Sequence, residues 1–72
     1  MARITKSNQK LGRNIQKARK VKEYTQEELA EVLNISRTHM GHIEQGRKTP
    51  SLELLEKIAK ALKVKVRDLI PY

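Results

Sequence analysis

Cysteine, tryptophan and phenylalanine are all absent from these 72 residues, and each absence excludes something. Without cysteine there is no disulfide framework and no thiolate metal site, which points to a reducing, cytoplasmic setting. No apolar run approaches the ~20 residues needed to span a bilayer, and no signal-peptide pattern is present. Glycine (three) and proline (two) are scarce while helix formers are abundant, which predicts an all-helical chain. Acidic residues are also in the minority. Eight stand against sixteen lysines and arginines, giving a net charge of +8 and a pI near 10.1. Such a balance calls for a polyanionic partner, whether nucleic acid, an anionic membrane surface or an acidic protein. A chain this short holds one small domain with no room for a second core. It offers little space for a catalytic cleft, has no Ser/His/Asp constellation and has no paired carboxylates in an apolar pocket. No enzyme activity, cofactor or small-molecule ligand is therefore expected.

The stretch with most organisation is residues 25–46. Thr25 is a good N-cap, and Glu28 three positions later completes a capping box. Leu29, Ala30 and Leu33 form one helical face. Asn34 follows where the chain must turn, and it tolerates the left-handed conformation that a helix stop requires. Ser36 is the next cap, and a second helix runs to Gln45 before Gly46 ends it. Helix, short turn, helix is the pattern of a helix-turn-helix. At ~100° per residue, Arg37, Thr38, Gly41, His42 and Gln45 fall within one arc of that second helix, with Ser36, Met40 and Ile43 roughly opposite. A polar arc by itself describes most surface helices. In a strongly basic chain it suits a helix lying in a groove of DNA, held to its domain by Met40 and Ile43. Arg37 is the side chain able to make a bidentate contact with guanine, and Thr38 can meet a thymine methyl or a phosphate. His39 and His42 have a metal-ligand spacing. The only further donor nearby is Glu44, which points elsewhere, so no metal site is expected.

Basic charge is concentrated upstream of the motif, where eight lysines and arginines precede the first acid, Glu23. Residues 1–6 read as a flexible basic N-terminal arm and residues 7–72 as one domain. Helix 1 is predicted to begin after Ser7 and to end near Lys22, with Leu11, Ile15 and Ala18 as a narrow apolar stripe. That stripe is too small, and lacks the aromatics, to make the helix a membrane-surface anchor. Arg19 falls inside it, and Glu44 sits on the core flank of the recognition helix. Charges so placed are costly unless paired, which predicts an Arg19–Glu44 ion pair. Ser51 is expected to cap helix 4, where Leu52, Leu55, Ile58, Ala59 and Leu62 keep a helical period. A short last helix is expected at about 66–70, ended by Pro71. Leu54, Val66 and Ile70 are candidates for a dimer interface, although for Val66 and for Leu69 completing the core is the simpler role.

Taken together, Leu11-Gly12-Arg13-Asn14-Ile15, Thr25 to Ala30, Ile43-Glu44-Gln45-Gly46-Arg47, Pro50-Ser51-Leu52-Glu53 and Ile58 to Leu62 resemble the Cro and phage-repressor type of helix-turn-helix family. The run from Arg37 to Glu44 is also similar to the small controller proteins of restriction–modification systems, which are stand-alone dimers. The resemblance implies a compact five-helix, lambda-repressor-like all-α domain with the motif formed by helices 2 and 3. It implies a sequence-specific transcriptional regulator, a repressor for example, bound to double-stranded DNA as a homodimer. Its inverted-repeat operator would have half-sites about one helical turn, ~10 bp, apart. Carried over by position, Arg37, Thr38 and His42 would face base edges. Gln26 would contact phosphate and brace the first recognition residue, and Arg47 would contact phosphate, joined by Ser36, His39 and Lys48 around the motif. Three departures stand out. Glu23, Asn34 and Lys63 occupy positions where the family commonly has glycine, and Gly41 sits in mid-helix at a cost of up to ~1 kcal/mol against alanine. An antitoxin-like or other protein-interaction module, with DNA binding secondary, is the alternative.

Overall fold

The computed structural model describes residues 5–71. Five helices follow one another: α1 (Lys6–Val21), α2 (Gln26–Leu33), α3 (Arg37–Glu44), α4 (Leu52–Leu62) and α5 (Val66–Leu69). Among the described residues there is no strand, and no helix is long and apolar enough to cross a membrane. Each of the first four helices starts at a hydroxyl cap. Thr5, Thr25, Ser36 and Ser51 accept from the backbone N–H three residues on, at 3.0–3.1 Å. At Thr25 the box is complete, because the Glu28 carboxylate accepts from the Thr25 N–H at 2.9 Å. That hydrogen bond, with a second from the Thr25 hydroxyl, holds the Glu28 carboxyl below its ordinary value. Helix α1 starts two residues earlier than Ser7 predicted, since Thr5 takes the cap. Of the expected arm, Thr5 and Lys6 thus belong to the start of α1, and residues 1–4 lie outside the described residues.

The same four helices also end alike. After each, one residue takes positive φ: Glu23 at 60°, Asn34 at 57°, Gly46 at 80° and Lys63 at 56°. Paired backbone bonds close each turn, for example Tyr24 N–H to the Arg19 carbonyl and Glu23 N–H to the Lys20 carbonyl. This is the double-bonded Schellman ending, which satisfies carbonyls that a helix end leaves unpaired. The residues next in line, Tyr24, Ile35 and Val64, fold back against the core. Glu23 and Lys63, where the family often has glycine, therefore adopt the glycine-like conformation nonetheless.

Twelve aliphatic side chains form one core: Leu11 and Ile15 from α1, Leu29, Ala30 and Leu33 from α2, Met40 and Ile43 from α3, Leu55, Ile58, Ala59 and Leu62 from α4, and Leu69 from α5. The expected stripes supply nearly all of it. Leu69 is buried in it, and Val66, half-buried, packs against it. Helix α1 crosses α3 at Gly12, where a Cβ would overlap the carbonyl oxygens of Glu44 and Ile43. Asn14 donates to the Leu69 carbonyl at 2.8 Å and Asn8 to Thr49 Oγ1 at 2.7 Å. These two bonds tie α1 to α5 and to the turn after α3.

Candidate nucleic-acid interface

Helix α3 is fixed from beneath by charge as well as by packing. Arg19 Nε lies 2.6 Å from Glu44 Oε2, and its Nη2 donates to Glu44 Oε1 at 3.1 Å. Both residues are almost wholly buried, at 7% and 6% exposure, so the forked geometry has to offset a real desolvation cost. Two further partners complete the arrangement. The remaining guanidinium nitrogen donates to the Tyr24 carbonyl at 2.7 Å, and Gln26 Nε2 donates to Glu44 Oε1 at 2.9 Å. Among the described residues no buried side-chain nitrogen or oxygen lacks a hydrogen-bond partner. The network joins the end of α1, the start of α2 and the end of α3 in one place.

With Met40, Ile43 and Glu44 turned inward, Arg37, Thr38, Gly41, His42 and Gln45 are left outward. Together with Gln26 these five line one open, shallow groove on the surface. An adjoining hollow is bordered by Arg19, Thr25, Gln26, Glu27 and Arg37, so Gln26 stands where the two meet. One of its two amide N–H groups is given to Glu44, and among the described residues no hydrogen bond joins Gln26 to Arg37. The brace on Arg37 implied by the resemblance is thus not among these hydrogen bonds, and Gln26 instead holds Glu44 at the other end of α3. Gly41 needs no glycine for the fold: a Cβ there would meet only Gln26 Oε1, at 3.9 Å. The space it leaves opens outward.

The flanks of the groove carry the other candidates. Ser36 Oγ accepts the His39 N–H at 3.0 Å, so its oxygen serves the cap while the hydroxyl hydrogen stays free to donate. His39 is half-buried beside it, and Lys48 is fully exposed in the turn after α3. Arg47 donates through Nε to Gln45 Oε1 at 2.9 Å, which anchors it at the far end of the groove. That turn is held to α1, for a Cβ at Gly46 would sit 2.9 Å from the Gln9 nitrogen. Leu54, Val66 and Ile70 are all half-buried and pack against the core. Leu54 borders a hollow with Leu33, Asn34 and Ile35, whereas Val66 and Ile70 belong to the α5 end, which packs on α1 and α4. Among the described residues no group of three or more His, Cys, Asp or Glu side chains is placed to hold a metal ion.

Three features escaped the sequence reading. Gln26 had a signal as a phosphate contact and as a brace for the first recognition residue, and nothing in its spacing indicated the bond to Glu44. The Gln45–Arg47 bond joins neighbours whose side chains meet only because the helix ends between them. The requirement for glycine at position 12 comes from a crossing of two helices, which no local pattern reports.

Comparison with known proteins agrees with this geometry. Residues 15–69 match the helix-turn-helix family model. The HTH-type transcriptional regulator YazB of Bacillus subtilis is 40% identical over 60 residues, covering 83% of this chain and 87% of that protein. Among solved structures, the restriction-modification controller protein C.AhdI of Aeromonas hydrophila superposes with a TM-score of 0.81 at 32% identity, over 86% of this chain and 94% of its own. SinR, a master regulator for biofilm formation solved in complex with DNA, superposes with a TM-score of 0.77 at 35% identity, over 82% and 95%. The chain belongs to the helix-turn-helix family, in its Cro and phage-repressor type, and is a DNA-binding regulator of transcription.

Proposed function

We propose that this chain is a sequence-specific regulator that binds an inverted-repeat operator as a homodimer, with α3 in the major groove. The observation that carries the reading is the division of α3. One side is locked by Met40, Ile43 and the Arg19–Glu44–Gln26 network, and the other presents hydrogen-bonding side chains with no aliphatic residue among them. In this reading Arg37, Thr38 and His42 contact base edges. Arg37 would be worth about 1–3 kcal/mol of discrimination at a guanine. Gln26, Ser36, His39, Arg47 and Lys48 contact phosphates and set register and affinity, which then falls with salt. The likeness to SinR, whose structure contains DNA, and to a restriction-modification controller supports this assignment.

A dimer is the expected form because one recognition helix reads only a few base pairs. Leu54, Val66 and Ile70 offer half-buried apolar surface for it. Leu52, at the start of α4 and 66% exposed, is a further apolar candidate.

The test is in vitro selection of random duplex DNA on the purified protein, followed by titration of the winners at several salt concentrations. An enriched inverted repeat with half-sites about one turn apart is the expected result. On that operator Arg37→Ala relaxes specificity at one base pair of each half-site, whereas Arg47→Ala weakens all duplexes alike. Binding with no enrichment and only a steep salt slope would overturn the reading and favour a protein-interaction module.

A further inference from the structure

The outward face of α1 carries Lys6, Lys10, Arg13, Lys17 and Lys20, all exposed. Their spacing alternates four and three, so at ~100° per residue they occupy an arc of roughly 80°. This arc lies opposite the side that buries Leu11, Gly12, Ile15 and Arg19. No acidic residue occurs anywhere in α1, and among the described residues none of the five has a carboxylate within 4.0 Å. Like charges three and four apart destabilise a helix, and Lys6 stands at the end where the helix dipole disfavours a cation. Helix α4 shows how a merely solvated face is composed in the same chain. There Glu53, Glu56, Lys57 and Lys60 mix their signs, and Lys57 Nζ comes within 3.7 Å of Glu53. Nothing in the described fold offsets the repulsion along α1, so its natural counterweight is an external anion.

The geometry of the stripe selects that anion. From Lys6 to Lys20 it runs about 21 Å at 1.5 Å per residue, a length equal to the axial rise of about six base pairs of DNA at 3.4 Å each. No apolar residue falls within the arc, whereas a protein partner needs an apolar centre to its interface. A phosphate backbone needs only cations. Gly12 and Arg19, through which α1 meets α3, lie roughly 120–140° around the helix from the stripe. The stripe therefore lies on the side of α1 turned away from its contact with α3, and none of its residues lines the α3 groove or the hollow beside it.

We propose that the lysine–arginine stripe of α1 is a second, sequence-independent surface for DNA phosphates, through which a protomer held on one duplex by α3 captures a second duplex segment. The proposal rests on the reading of α3 given above. It is tested with the full chain, a bead-tethered duplex and a labelled free duplex of unrelated sequence, at physiological salt. The comparison is with the triple variant Lys10→Gln/Arg13→Gln/Lys17→Gln, since glutamine keeps the helix propensity; thermal unfolding verifies that it is folded. Capture of the free duplex is expected to fall at least tenfold while affinity for a single duplex changes less than threefold. The log–log salt slope of capture should drop by about 2.7, at 0.9 for each phosphate that the variant no longer neutralises. Undiminished capture by the variant, or single-duplex affinity falling in the same proportion, would overturn the proposal. So would a wild type that binds single duplexes and captures no second one. A wild type that binds no duplex at all would instead overturn the reading of α3, and the stripe with it.

Discussion

On its inner side α3 sets Met40, Ile43 and Glu44 against the rest of the domain, and among the described residues no buried side-chain nitrogen or oxygen there lacks a hydrogen-bond partner. On its outer side Arg37, Thr38, Gly41, His42 and Gln45 face an open groove with few bonds among themselves. The two glycines on the α1–α3 side and the groove side make the same contrast. A Cβ at Gly12 would run into two backbone carbonyls, whereas one at Gly41 would touch a single side-chain oxygen at ordinary distance. The inner face is determined by the fold, and substitutions there register as stability. The outer face is free of the fold, so the choice of residues there is open to whatever lies in the groove.

Breaking the inner face should give the largest effects. Glu44→Ala leaves the buried Arg19 guanidinium and the Gln26 amide without their acceptor, and a loss of about 3–5 kcal/mol is expected in urea unfolding. The paired change Arg19→Met with Glu44→Leu should recover most of that loss, because it removes both desolvation costs together. Failure to recover would mean that the bonds to Tyr24 and Gln26 carry more of the stability than the ion pair does. Next in size, Gly12→Ala should cost about 1–3 kcal/mol by forcing α1 and α3 apart.

Gly41→Ala sharpens the comparison because its sign is opposite. It should stabilise the domain by up to ~1 kcal/mol through helix propensity. If close approach to DNA is what keeps a glycine there, the same variant binds its operator more weakly, and a titration beside a melting curve separates the two effects. A smaller gain, up to about 1 kcal/mol, is expected from Lys63→Gly, since lysine holds a positive φ there that glycine adopts without a Cβ penalty.

The smallest effect concerns pH. Because the Glu28 carboxyl is held below its ordinary 4.5, its capping contribution is fully present above that value. It is lost as pH falls through the depressed folded value. The stability difference between wild type and Glu28→Gln should therefore be constant at neutral pH and decline only below about 4.5, in urea midpoints measured across that range.

Much of this architecture was legible because it is local. Thr25 with Glu28, Ser36 and Ser51 are caps whose partners lie three residues away, so residue type and spacing suffice. The stripes Leu29-Ala30-Leu33 and Leu55-Ile58-Ala59-Leu62 follow from helical period, but the same period also took in Leu52, which the structure leaves 66% exposed. The start of α1 was misplaced at Ser7, because a second hydroxyl two residues upstream, Thr5, takes the cap. The Arg19–Glu44 pair was legible at long range for a different reason: two charges on apolar stripes have few places to go other than each other.

By itself the sequence determined the number of helices, the caps that start them, the turns that stop them and the polar arc of α3, since each depends on neighbours within one or two turns. Only the tertiary structure decided that the helix crossing leaves no room for a Cβ at Gly12 while the groove leaves room at Gly41, and that Gln26 donates to Glu44. These depend on which helices cross and at what separation, a property of the packed chain that no stretch of residues carries alone.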